Sequence, residues 1–89
     1  MRSIITVIGV DRTGIIANVT AVLAKCGANI LDINQTVMQE LFTMVTLVDL
    51  EKINISFTEL KEQLENLGNK MGLSIRIQRE EIFTAMHRI

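Results

Sequence analysis

Two stretches of helical spacing sit among four runs of strand-forming residues. That order, β-α-β-β-α-β, most constrains what this chain can fold into. Residues 3–9 are β-branched almost throughout and read as a strand. Beyond a polar turn, Ile16, Val19, Leu23 and Cys26 recur at helical spacing, with Ile15 and Val22 widening the stripe. Gly27 follows where a left-handed cap favours a residue without a Cβ, so the first helix is predicted near 14–26. Asn29 to Gln39 is a mixed strand and Leu41 to Val48 an apolar one. Only Gln39-Glu40 separates them, which predicts a hairpin whose turn lacks Gly or Asn.

Ser56-Phe57-Thr58-Glu59 fits a capping box, with Ser56 as N-cap and Glu59 reaching back. Ile55 and Leu60 are spaced for a hydrophobic staple. Phe57, Leu60, Leu64, Leu67 and Met71 then step along one helix face, and Gly68 or Gly72 ends the helix. Leu73, Ile75 and Ile77 alternate with polar residues, as a strand with one wet face does. The tail from Glu80 to Ile89 has helical spacing at Ile82, Phe83 and Met86, with acids in its first turn that suit the helix dipole.

The expected architecture is α+β: a ferredoxin-like βαββαβ sandwich. It has a four-stranded antiparallel sheet, two helices on one face and a short C-terminal helix. Strands one and three are apolar on both faces and belong at the centre; strands two and four carry the polarity of edges. Central strands apolar on both sides need cover on the second face, from the tail helix and from another subunit. A homo-oligomer, most simply a dimer, is therefore expected.

The 89 residues allow one domain with a thin core. Hydrophobic residues are 48% and charged residues 21%, with a formal net charge of −1. No basic field invites nucleic acid or an anionic membrane. Residues 3–10 are too short an apolar run to span a bilayer, and no charged-then-apolar leader opens the chain, so a cytoplasmic protein is expected. Cys26 alone makes no disulfide and no cysteine-rich zinc site, and reads as a small buried hydrophobe. His87 has no second His or Cys to complete a metal site. Glu80-Glu81 reads as a helix-start preference. No nucleophile–base pair is present, so no catalysis and no cofactor are expected.

Several families share this fold, and fold alone does not set function. RNA-recognition domains stack bases on aromatic residues of the central strands; here only Phe42 is available. Heavy-metal domains need Cys-x-x-Cys in the first loop, which is absent. Acylphosphatase-type enzymes pair a first-loop arginine with an asparagine on strand three; Arg12 is in place, but residues 41–48 hold no Asn.

Two motifs resemble the ACT domain, a small amino-acid-sensing module. Val10-Asp11-Arg12-Thr13-Gly14-Ile15 resembles the family turn, Asp/Asn-Arg-Pro-Gly-hydrophobic, and Gly27-Ala28-Asn29-Ile30 resembles its Gly-x-Asn-Ile opening of strand two. Thr13 stands where the family has proline. Residues 35–37 through 42–44, and the ending Ile82 to His87, are similar to small stand-alone bacterial and archaeal ACT proteins related to the glycine-cleavage-repressor type. The resemblance implies a single ACT domain over 1–89, non-catalytic and regulatory, acting as a homodimer. It implies an amino acid or similar small ligand, and a regulated protein partner.

An amino acid needs an acceptor for its ammonium and donors for its carboxylate. Asp11 can accept, and the N–H groups of Thr13, Gly14 and Ile15 at the start of the helix can donate. Gly14 lets the backbone approach closely. Asn29 both donates and accepts. The resemblance implies that the turn and Asn29 share in binding, often across a subunit interface. The candidate ligand residues are Asp11, Arg12, Thr13, Gly14, Ile15, Asn29 and Ile30. Simpler roles stand beside these: Asp11 as a helix cap, Gly14 for tight packing, Asn29 as a turn residue and Arg12 as a solvated charge. Alternative functions are a ligand-free interaction module with the same architecture and an acylphosphatase-like enzyme.

Overall fold

The computed structural model describes residues 1–82. Six elements follow in the expected order: β1 (Arg2–Val10), α1 (Ile15–Cys26), β2 (Asn29–Met38), β3 (Leu41–Asp49), α2 (Phe57–Met71) and β4 (Leu73–Arg79). Residues 80–82 open a helical turn. The rest of the expected tail helix, with Phe83, Met86 and His87, lies outside the described residues.

The sheet order is β2-β3-β1-β4, with every neighbouring pair antiparallel. The two most apolar strands, β1 and β3, are central, as their composition requires. One face carries the core. Ile5 and Val7 of β1, Met44 and Val48 of β3, and Ile75 and Ile77 of β4 join Val19 and Leu23 of α1 and Leu60 and Leu64 of α2 in one buried cluster.

Residues 15, 19, 23 and 26 form the buried stripe of α1, leaving Ile16 partly exposed. The stripe is thus rotated from the one expected, which ran through Ile16. The helix starts at Ile15, and steps of 4, 4 and 3 residues keep the row over the sheet. Gly27 ends α1 at φ 81°, with the Ala28 N–H donating to the Leu23 carbonyl. At α2, Ser56 Oγ accepts from the Glu59 N–H at 3.1 Å. The Glu59 carboxylate accepts a hydrogen bond from the Ser56 hydroxyl at 3.3 Å rather than reaching back to the Ser56 N–H. Gly72, at φ 71°, ends α2 and bonds the Gly68 carbonyl.

β2 is the exposed outer strand, with a bulge at Leu31 between the pairs Ile30–Val48 and Asp32–Leu47. The hairpin to β3 turns through Gln39, the one non-glycine residue with positive φ among those described, at 56°. A side chain there costs about 1–2 kcal/mol against an unstrained conformation. Glycine removes that strain and returns part of it as unfolded-state entropy. Gln39→Gly should therefore raise stability by roughly 0.5–1 kcal/mol, read as a higher urea midpoint at unchanged slope.

Candidate functional site

The turn from Asp11 to Gly14 leaves the end of β1 and enters α1. Two bonds anchor it. The Asp11 N–H donates to the Glu40 carbonyl at 2.7 Å, tying the turn to the β2–β3 hairpin. Arg12 Nη1 donates to the Met71 carbonyl at 3.2 Å, at the C-terminal end of α2. A cation there complements the negative end of the helix dipole. Arg12 thus brackets the turn to α2.

Gly14 is the N-cap of α1 at φ 90°, and no side chain caps the helix. Asp11 is therefore not the cap that a bare reading allowed. Its carboxylate is exposed and has no hydrogen bond or ion pair among the described residues. The first-turn N–H groups, which an α-helix cannot satisfy internally, are left to solvent or to a ligand. Asn18 donates Nδ2 to the Gly14 carbonyl at 2.7 Å and holds the turn's shape. A Cβ added at Gly14 would meet that nitrogen at 3.2 Å, on a backbone that side chains rarely adopt. Thr13 is exposed. The Ile15 side chain is in the core, so of Ile15 only the backbone is available to a ligand.

Asn29 and Ile30 begin β2, beyond the far end of α1. Twelve helical residues at 1.5 Å each separate the ends by about 18 Å, so Asp11 and Asn29 do not meet within one chain. Asn29 lines two recesses instead. One, of about 350 Å³, is bounded by Gly27, Asn29, Asp49, Glu51 and Lys52. The other, about 510 Å³ and more apolar, runs between α1 and β2 past Ala17, Ala21, Ala24, Asn29 and Ile30. Reading the sequence missed Asn18 and the Glu40 carbonyl. The four-residue step from Gly14 to Asn18 was a usable signal; the backbone acceptor left none.

Among the described residues, no three or more His, Cys, Asp or Glu gather as metal ligands. No helix among them is long and apolar enough to cross a membrane.

A βαββαβ sandwich with an uncapped, glycine-entered first helix defines the class: a small ferredoxin-like module. The ACT domain family model matches residues 2–78, and the chain belongs to that family. It is 56% identical over 86 residues to a UPF0237 protein of Methanococcus maripaludis, covering 97% of this chain and 96% of that one. An ACT domain protein from Streptococcus pneumoniae superposes with a TM-score of 0.81 at 42% identity, covering 93% of each chain. A putative glycine cleavage system transcriptional repressor superposes with a TM-score of 0.74 at 26% identity, over 86% of this chain and 44% of the other.

Proposed function

We propose that the chain is a non-catalytic regulatory module that binds an amino acid as a homodimer, at a site shared by two protomers. The observation that carries this reading is the start of α1. A carboxylate without a partner among the described residues stands beside helix N–H groups that no side chain caps. Those are the two halves of a receptor for an ammonium and a carboxylate. Membership of a family usually built for ligand-controlled regulation supports the same reading.

The separation of Asp11 from Asn29 argues for two protomers. β2 is an open edge, and the neighbouring face of α1 carries Ala17, Ala21 and Ala24, which permit close approach of a second backbone. Antiparallel pairing of β2 with its copy, centred on Gln35, sets the second copy's Asn29 level with the hairpin tip. That is the height at which Asp11 is bonded to Glu40. One composite site then uses Asp11 to Ile15 of one protomer and Asn29 with Ile30 of the other.

A thermal melt of the protein with each of the twenty amino acids tests this. A ligand at 100 times its Kd adds about 2.7 kcal/mol. For a domain of this size that is a shift on the order of 10 °C or more. Asp11→Ala should abolish the shift and leave the ligand-free melt unchanged. A panel without any shift contradicts amino-acid binding.

A further inference from the structure

The outer edge of β4 offers backbone that the fold does not use. The Leu50 N–H donates to the Met1 carbonyl and the Asp11 N–H to the Glu40 carbonyl, each at 2.7 Å. Both ends of the β1–β3 ladder thus bond through odd positions along β1. Opposed residues of an antiparallel pair alternate between bonded and non-bonded, so the even positions of β1 bond β4. Those pairs are Ile4–Gln78, Thr6–Arg76 and Ile8–Ser74. Leu73, Ile75, Ile77 and Arg79 therefore turn their N–H and C=O groups away from the sheet. α2 closes this edge only at its start: a Cβ on Gly68 would lie 2.6 Å from the Leu73 oxygen and 3.6 Å from the Ile75 nitrogen. Beyond that point, the carbonyls of Ile75 and Ile77 and the N–H groups of Ile77 and Arg79 have no bond among the described residues.

Edge strands are usually blunted by proline, a bulge or a covering element. β2 has its bulge at Leu31. β4 keeps one register with β1 from Leu73 to Arg79, and the chain has no proline. Ile75 and Ile77 are buried because their side chains lie in the core. Both nevertheless line a recess of about 310 Å³ between α2 and this edge, with Lys61 and Glu65 on the helix side. A second recess, of about 280 Å³, continues past Glu65 and Asn69 to Leu73. Residues 61, 65 and 69 step by four and form one wall of a groove along the strand.

We propose that this edge takes an extended segment of a partner protein as a further strand, and that the segment carries two consecutive carboxylates. Charge decides the occupant. Lys61, Arg76 and Arg79 stand along the open stretch against Glu65, and none of the four is in an ion pair among the described residues. The excess is positive on a chain whose formal net charge is −1. Consecutive side chains of a strand point to opposite faces. One carboxylate then meets Lys61 on the helix side, and the next meets Arg76 on the other. Main-chain bonds supply affinity, and the carboxylates supply selection. A second copy of β4 would set the same cations against their own kind. Residues 83–89 contain Arg88 and neither Asp nor Glu. The groove lies apart from the start of α1 and requires no amino-acid ligand.

Amide NMR on the full chain tests this. The probes are capped synthetic peptides of about eight residues that alternate valine and threonine around a central Asp-Glu, Asn-Gln or Lys-Lys. The Asp-Glu peptide should shift the Ile77 and Arg79 amide signals and slow their hydrogen exchange. The Asn-Gln peptide should bind about three- to tenfold more weakly, and the Lys-Lys peptide more weakly still. The double variant Lys61→Glu with Arg76→Glu, both exposed positions, should reverse that order. A purely structural lesion would weaken all three peptides alike. Three results overturn the proposal: no peptide at millimolar concentration moves the two signals, the order of the peptides is the same in wild type and variant, or Ile77 and Arg79 already exchange slowly in the protein alone. The last would mean that a second copy or the chain's own end occupies the edge.

Discussion

Gly68→Ala is expected to destabilise the fold by about 2–3 kcal/mol, although alanine is the better helix former by about 1 kcal/mol. Gly68 is buried in α2 where the helix crosses β4. A Cβ there would lie 2.6 Å from the Leu73 carbonyl oxygen. That atom is backbone, and it cannot give way without separating α2 from β4. The clash outweighs the gain in propensity. In a domain this small, 2–3 kcal/mol is a fall in Tm on the order of 10–20 °C. A melt within about 2 °C of wild type would mean that the two elements separate freely and that Gly68 has no packing role.

Leu64→Ala should cost about 3–4 kcal/mol by the same melt. Leu64 is fully buried on α2, within the cluster that joins both helices to the sheet. Losing its side chain removes apolar burial and leaves a cavity that a sheet fixed by antiparallel pairing on both sides cannot close. Marginal domains hold only about 5–15 kcal/mol, so this single change takes a large share. Leu67 lies three residues along the same helix but only at the edge of that cluster. Leu67→Ala should cost less than half as much. Equal losses at the two positions would contradict the burial that separates them.

Much of this fold is legible in the sequence, because the periods that form elements also bury them. The strand runs, the capping box at Ser56 and the glycines near each helix end locate six elements within one or two residues, except the end of α2, where Gly68 and Gly72 both fit the pattern and the helix runs to Met71. Composition alone puts β1 and β3 at the centre. The phase of α1 is less legible: Ile15 and Ile16 are chemically alike, and only the position of the helix start decides which is buried. Gly68 reads as a possible helix end, and only the approach of β4 shows why the chain needs glycine inside α2. The candidate site is half legible. The two motifs are readable, but their placement at opposite ends of α1 becomes consequential only once the helix length is fixed. Arg12 reads as a charge in a ligand turn, whereas the structure gives it the Met71 carbonyl. That bond spans 59 positions, and no local pattern announces it.

The central claim is a site that takes Asp11 from one protomer and Asn29 from the other, and mixing variants tests it most directly. Asp11→Ala and Asn29→Ala proteins should each fail to bind an amino acid that binds wild type, by calorimetry. Mixed in equal amounts and allowed to exchange subunits, half the dimers become hybrids. In a hybrid both lesions fall in one site and the other site is intact. The mixture should therefore recover about one quarter of the wild-type binding capacity at wild-type affinity. If the mixture stays as silent as its parts while exchange is verified, the two residues do not share a site across the dimer.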